Sequence, residues 1–440
     1  MKMEEMVLIS VDDHITEPGD MFDRHLSGDL LASAPKLREN ADGTNFWEYQ
    51  GVNIPSVALN AVVGRPREEY GMEPTNLEQL RAGCYDVHAR VDDMDVNGVA
   101  ASLNFPSFAG IDGSLFLNAK DKTLALRHLQ AYNDWHVDEW CGAHPARFIP
   151  CGIIPLWDAD AAAVEIKRLA DKGCHSITFN DNPTKRGLPS VHNAFWEPLW
   201  KAATENDTTI NLHIGVGNVS PHPSLESPIE VNITTMPMAV AFGAADWLNL
   251  AALHRYPEMK IALSESGIGW IPYLLERADY AHEQHQAWTH SNSYFGQMKP
   301  SEVFKRHFAS CFIDDAYGLR NLDLIGEDSV CYEVDYPHSD TPWPHAPEIL
   351  WKSIQSLTDE QIDKITHLNA MKLYSFDPFQ HLPKSQLTVA ALREQATAKG
   401  VDVSVKSSGG GAAPLATGEV QRPVTSGDII GMFQKHSEAA

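Results

Sequence analysis

Short runs of strand-forming residues recur along the chain, and between them apolar residues return every third or fourth position. Eight such runs stand out: "MVLISVDDH" (6–14), "GVAASLNFPSF" (98–108), "RFIPCGIIPLWD" (147–158), "GCHSITFNDNP" (173–183), "TTINLHIGVG" (208–217), "KIALSESGIGW" (260–270), "SCFIDD" (310–315) and "SVCYEVDYPH" (329–338). The stretches between them read as amphipathic helices, at 119–144, 158–173, 193–207 and 268–283. The second of these opens on a capping aspartate, Asp158, and closes on Gly173. Strands alternating with helices predict parallel pairing through helical crossovers. Eight such units predict an α/β fold, a distorted (β/α)8 TIM barrel with loop insertions and a flexible C-terminal tail. A doubly wound open sheet is the competing topology, but no Gly-rich phosphate turn follows the first strand.

Three segments interrupt the alternation. Residues 19–85 are rich in Pro, Gly and charge, residues 218–240 read as a long loop after the fifth strand, and residues 283–308 extend the sixth unit. Long loops at strand C-termini of a barrel make the pocket wall or a lid. The barrel is expected to occupy 1–380. Residues 381–440 read as a low-complexity tail, disordered or docked on a partner, around "VKSSGGGAAPLATGEVQRPVTSGD".

Composition narrows the function. The chain has 440 residues, 43% of them hydrophobic, so it can bury a sizeable core. Its net charge of −25 argues against nucleic acid, which needs a basic footprint. Cys84, Cys141, Cys151, Cys174, Cys311 and Cys331 form no CxxC pair and mostly sit in apolar runs, which predicts reduced, buried thiols. With no signal-peptide pattern at "MKMEEMVLIS" and no apolar window of about 20 residues, a cytoplasmic protein with no membrane partner is expected.

The chemistry gathers where the strands stop. The first ends in Asp12-Asp13-His14, the fifth carries His213, the sixth Glu265, and the eighth ends with Asp335 and His338. In a parallel barrel all strand C-termini open on one face, which holds the active site. Carboxylates and imidazoles converging there suit a divalent metal. Residues i and i+2 of a strand share a face, so Asp12 and His14 point into the mouth together while Asp13 points away, and Asp335 points inward with Tyr336 in the wall. Each residue alone has a plainer reading. A His in an apolar strand is as a rule a hydrogen-bonded core residue, and Glu265 could cap the helix beginning near Gly269. Phe105, Phe108, Trp157, Trp270, Trp343, Met236 and Met238 offer an apolar wall. Of these Phe105, Trp270 and Trp343 are the candidate substrate contacts, each with core packing as its alternative. Arg65, Arg67 and Arg186 are candidate anion contacts or solvated loop residues.

Taken together, "VDDHITEP", "NLHIG", "ESGIGWIPYLLERAD" and "VDYPHSDTPWPH" resemble the amidohydrolase superfamily, in its amidohydrolase-related, aminocarboxymuconate-semialdehyde-decarboxylase-like branch, over roughly residues 6 to 380. The resemblance implies a distorted TIM barrel, commonly dimeric, holding zinc, manganese or iron. Its metal ligands fall on Asp12, His14, His213 and Asp335. Two departures bear on the reaction. The fourth strand, "SITFNDN", has no Lys to bridge two metals. The sixth reads "LSESGIGW", with Glu265 near the place where decarboxylases of this branch carry a His-led motif.

The expected function is therefore hydrolysis: a metal-activated water cleaving an ester, thioester, lactone or amide of a hydrophobic acid. Asp335 serves as the acid–base group, and His338 and Glu265 assist. Zinc is the first choice of metal, with iron or manganese as alternatives, and Glu265 is a possible ligand of a second ion. The partner is a small acyl or aromatic acid substrate, in a homodimer. The alternatives are nonoxidative decarboxylation of an aromatic or dienoic acid on the same metal, and a barrel that only binds ligand.

Overall fold

The computed structural model describes residues 1–55, 58, 60–70, 76–218, 220–408 and 422–429. The first strand, β1 (Leu8–His14), is followed by a small antiparallel sheet of β2 (Lys36–Glu39), β3 (Asn45–Tyr49) and β4 (Val52–Ile54). Seven further strands come after it: β5 (Val99–Phe105), β6 (Phe148–Ile149), β7 (Ser176–Phe179), β8 (Thr209–His213), β9 (Ile261–Ser264), β10 (Phe308–Phe312) and β11 (Val330–Tyr332). They pair in parallel as two arcs, β1-β5-β6 and β7-β8-β9-β10-β11.

Backbone hydrogen bonds cross both gaps between the arcs. Gly152 N donates to Ser176 O (2.9 Å) and Thr178 N to Gly152 O (3.0 Å) on one side. On the other, Asp335 N donates to Asp12 O (2.8 Å) and His14 N to Tyr336 O (2.6 Å). The result is the distorted (β/α)8 barrel that the alternation predicts, with all eight expected strands in place.

Ile9, Leu103, Ile149, Ala262, Cys311 and Cys331, from six strands, form the apolar cluster inside it. Alternate strand residues such as Leu8, Ile177 and Ile210 pack outward against the helices. The helix Ala159–Asp171 shows why the sequence pattern works. The Asp158 side chain accepts from Ala161 N (3.0 Å), Ala162, Ile166 and Leu169 are buried, and Gly173 leaves the helix at φ +84°.

Several boundaries move. The third strand shrinks to two residues plus the bridge at Gly152, because Pro150 and Pro155 have no N–H for a ladder. The expected helix 119–144 runs as Lys122–Asp134 and continues as a π-helical turn over Trp135–Cys141. The segment 218–240, read as a loop, enters a helix, Ile229–Leu248. Pro237 lies within it, and the carbonyl its ring leaves unpaired belongs to half-exposed Ile233, where water can satisfy it. The insertion 19–85 holds the β2-β3-β4 sheet, whose Trp47 stacks on Phe108 at 4.2 Å.

The barrel domain does not stop at 380. The helix Val389–Lys399 buries Val389, Leu392 and Ala396, and Leu387 and Leu392 pack with Val7 and Ala100. Beyond it Lys406 N donates to Gly64 O (2.9 Å), and Ser426 N and Gly427 N donate to Ser227 O (3.0 Å) and Leu225 O (2.8 Å). The rest of the expected flexible stretch lies outside the described residues. No described helix is long and apolar enough to cross a membrane. All six cysteines are free and buried.

Candidate metal centre

β1 delivers two side chains to the barrel mouth. Its pairing with β5 is irregular between Ser10 and Asp13. A bulge re-aims the residues that follow it, so the inward set changes from apolar Ile9 and Val11 to Asp12 and His14. Asp13 turns the other way. Its Oδ1 accepts from Ser10 Oγ (2.9 Å) and from Tyr336 N (3.1 Å).

The other strands complete the cluster. His213, the last residue of β8, lies with Nε2 3.1 Å from His14 Nε2 and 3.4 Å from Asp12 Oδ1. His14 Nε2 is 3.4 Å from Asp12 Oδ1 and 3.5 Å from Asp335 Oδ1. Glu265 Oε2 lies 3.7 Å from His213 Nε2, and His338 Nδ1 is 2.8 Å from Asp335 Oδ1. Glu265 and Asp335, just past β9 and β11, sit at φ +53° and +52°. This left-handed backbone is sparsely populated for residues with a Cβ and gathers at functional sites. Phe105, the last residue of β5, packs edge-on to His213 with centroids 4.9 Å apart.

These residues fit a divalent cation. Ligand atoms of Asp12, His14 and His213 lie within 4.8 Å of one another, as do those of His14, Glu265, Asp335 and His338. Both carboxylate oxygens of buried Asp12, and Oδ2 of buried Asp335, accept no hydrogen bond. Unpaired buried carboxylate oxygens are unfavourable unless a cation meets them. His213 Nδ1 faces Ile214 O at 2.8 Å. A carbonyl can only accept, so Nδ1 carries a proton, which leaves Nε2 facing the cluster as the nitrogen open to a metal once its own proton is displaced.

The electrostatics agree. Burial opposes charge on both Asp12 and His213, yet their mutual attraction prevails: Asp12 is held at about 2 and His213 raised to about 10. Burial, reinforced by Asp335, lifts Glu265 to about 8. Burial and the charge of Asp12 push Asp335 well above the usual carboxylate range. Burial, with His338, holds His14 well below the usual imidazole range. In the metal-free chain Glu265 and Asp335 thus keep their protons beside an ionised Asp12 and a protonated His213, and a divalent ion ligated by the same atoms would displace those protons.

The other candidates take different places. Trp343 donates from Nε1 to Asp93 O (3.2 Å) and lies under the Arg81 guanidinium (4.3 Å). Trp270 donates from Nε1 to Ser266 O (2.8 Å), just before the helix Ile271–Thr289. Both are held by wall contacts, whereas Phe105 touches the cluster itself. Arg65 Nη2 donates to Gln79 O (2.9 Å), and Arg186 Nε lies 3.3 Å from Asp112 Oδ2.

Sequence reasoning missed three buried groups. Glu333 Oε2 accepts from Glu265 N (3.1 Å) and, with Cys311 and Asp12, forms a third tight group of potential ligands. It shares strand parity with Asp335, a signal that was available. Glu17 accepts from Ser107 N (2.9 Å), Phe108 N (3.1 Å) and Tyr132 OH (2.9 Å), and so fixes the loop after β5. Arg90, in the helix Val87–Val96, is fully buried against β1. Its sequence context reads as an ordinary solvated helix face.

Comparison with known proteins then bears on both fold and reaction. A family model described as Amidohydrolase matches residues 77–376. The chain is 24% identical over 332 residues to gamma-resorcylate decarboxylase of Rhizobium sp. (strain MTP-10005), covering 68% of this chain and 90% of that one. It is 20% identical over 313 residues to 2-amino-3-carboxymuconate-6-semialdehyde decarboxylase of Dictyostelium discoideum, covering 69% and 80%. Among solved structures, 5-carboxyvanillate decarboxylase of Novosphingobium aromaticivorans with bound manganese superposes with a TM-score of 0.59 at 18% identity, over 86% of this chain and 99% of that one.

These likenesses overturn the expectation of hydrolysis, since relatives matched along most of their length are decarboxylases. The sixth strand lacks a His-led motif, and the cluster draws a further imidazole, His338, from the end of the eighth. By the match across 77–376, together with the barrel and its cluster of carboxylates and imidazoles, the chain belongs to the amidohydrolase family.

Proposed function

We propose that this protein is a metal-dependent, nonoxidative decarboxylase of an aromatic carboxylic acid. The observation that carries the reading is the meeting of Asp12, His14, His213 and Asp335, with carboxylate oxygens left unpaired, in a chain whose relatives are decarboxylases. Asp12, His14, His213 and Asp335 would hold the ion, with Glu265 beside them. A donor set of carboxylates and imidazoles accepts manganese as readily as zinc. The manganese bound in the 5-carboxyvanillate decarboxylase neighbour favours manganese. When bound, the ion supplies positive charge that orients an anionic substrate and lowers the cost of electron density building up beside it.

The reaction breaks the bond between the ring and its carboxylate. Carbon dioxide departs, the electron pair stays on the ring carbon, and one proton must arrive there. Asp335 is placed to deliver it. With the ion bound its carboxylate would be ionised, and His338, whose Nδ1 lies 2.8 Å from Asp335 Oδ1, would pass the proton to it for delivery. Phe105, fully buried and edge-on to His213, would keep water away from the imidazole side of the cluster. Glu265, which burial raises to about 8 in the metal-free chain, would keep its proton where it does not meet the ion and donate a hydrogen bond to a substrate oxygen.

The test is direct. The manganese-loaded protein is incubated with gamma-resorcylate and 5-carboxyvanillate in D2O. Carbon dioxide release, and a single deuterium on the carbon that bore the carboxylate, are expected. Absence of both across a panel of aromatic acids, with the metal bound, would overturn the reading.

A further inference from the structure

The ligand-bearing ends of β1 and β11 meet at a seam of the barrel where no regular strand pairing runs. Two backbone hydrogen bonds cross it, Asp335 N to Asp12 O and His14 N to Tyr336 O. Two side chains of β1 add one each: Asp13 Oδ1 accepts from Tyr336 N (3.1 Å) and Ser10 Oγ from Val334 N (2.8 Å). So few bonds leave the relative placement of Asp12, His14 and Asp335 to whatever else braces the seam.

Arg90 reaches both sides of this seam. Its side chain is fully buried. Nη2 donates to His14 O (2.5 Å) and Nε to Gly83 O (2.6 Å). Nη1 lies 3.9 Å from Asp13 Oδ2, and the guanidinium plane covers the Tyr336 ring at 4.3 Å. One planar group therefore touches the backbone of a candidate ligand on β1, its outward-facing neighbour, and the residue that follows Asp335. The surroundings are shaped to admit it. A Cβ on Gly83 would stand 2.4 Å from Asp93 Oδ2 and 2.6 Å from Tyr336 OH, so only glycine lets the Gly83 carbonyl come so close. Tyr336 OH in turn donates to Asp93 Oδ2 (2.6 Å), and Arg81 grips Asp93 with Nε and Nη2. Burying a guanidinium is unfavourable unless its donors are used in a fixed geometry, and a lysine cannot reproduce the fork or the stacking.

We propose that Arg90 is a positioning residue of the metal centre: it locks the β1–β11 seam so that Asp12, His14 and Asp335 address a single ion. The proposal rests on the metal reading above. Residues just outside a metal's ligands commonly change affinity about 10- to 100-fold when altered.

The experiment compares the full-length wild type with Arg90→Lys and Arg90→Met. Mn2+ affinity is measured by chelator competition, the visible spectrum after loading with Co2+, and folding by circular dichroism. The folded variants are expected to bind Mn2+ about 10- to 100-fold more weakly and to show an altered Co2+ spectrum, with Met worse than Lys. A purely structural arginine would lower thermal stability and leave the Co2+ spectrum unchanged. Folded variants with wild-type affinity and spectrum overturn the role of Arg90 and leave the metal reading intact. A wild-type chain that binds neither Mn2+ nor Co2+ overturns the metal reading instead. Should Arg90→Met fail to fold, Arg90→Lys, which keeps the charge and most of the volume, decides on the same readouts.

Discussion

Asp335 donates its backbone amide to the carbonyl of Asp12 at 2.8 Å, so two candidate ligands from opposite ends of the barrel domain are joined through their main chains before their side chains meet. The carboxylates are thereby held close in a buried place where the charge on Asp12 opposes ionisation of Asp335. Such an arrangement is stable only with protons or a cation among the charges.

Metal binding should accordingly stabilise the folded chain. Dialysis against a chelator is expected to abolish activity and lower Tm, and Mn2+ at about 100 times its Kd should restore about 2.7 kcal/mol. His213→Ala should remove most of that gain, read by calorimetry with and without Mn2+. A Tm indifferent to Mn2+ in the wild type would count against the centre.

Asp335→Asn retains size and an oxygen ligand but loses the exchangeable proton. We expect kcat for carbon dioxide release to fall at least about 100-fold with manganese still bound. Normal turnover in this variant would confine Asp335 to holding the ion or the fold.

Stability should fall in mild acid because of His136. This imidazole is buried in the π-helical turn, and its Nε2 accepts from Cys151 N (3.2 Å), so it must stay neutral in the fold. Burial lowers it to about 4 from its ordinary 6.5. The unfolded chain takes up a proton below about 6.5, while the folded one resists until about 4. The contribution is thus complete above the upper value and is lost as pH falls through this window, by about 3 kcal/mol at most. Denaturant titrations of the metal-free chain between pH 7 and 4 should show this slope. In His136→Gln, which keeps an acceptor for Cys151 N, the slope should flatten; an equal slope would remove His136 as its cause.

Leu392, buried on the C-terminal helix against Val7 and Ala100, tests how far the domain extends. Leu392→Ala should lower unfolding stability by about 2–5 kcal/mol, as a large-to-small change in a core does. A change within experimental error would mean that the helix is a loosely held appendage.

Of the fold, the parts governed by local pattern were legible. The eight strands announce themselves because a barrel strand buried on both faces is a nearly continuous apolar run, and Asp158 and Gly173 mark helix ends by chemistry that acts within a few residues. The insertion sheet was not legible, because its three short strands owe their stability to the stacking of Trp47 on Phe108, a distant residue. The segment 218–240 misled for a related reason: Pro237 reads as a breaker, and only the exposure of the helix face around Ile233 makes it tolerable.

Asp12, His14, His213, Glu265, Asp335 and His338 could be picked out because each interrupts an apolar strand with a polar end, and because parallel strands must open on one side. Arg90 could not be assigned from its neighbours in sequence, and Glu333 only by its strand parity with Asp335. A buried charge is recognised only by what surrounds it, and those partners come from other strands. The sequence by itself determined where apolar strands end in polar groups, since strand pattern is local; which of those groups turn into the mouth depended on the bulge in β1 between Ser10 and Asp13. Only the tertiary structure decided their spacing, their protonation and the brace behind them. Distances of 3 to 4 Å between residues hundreds of positions apart depend on how the barrel's seams close, and no local pattern encodes that.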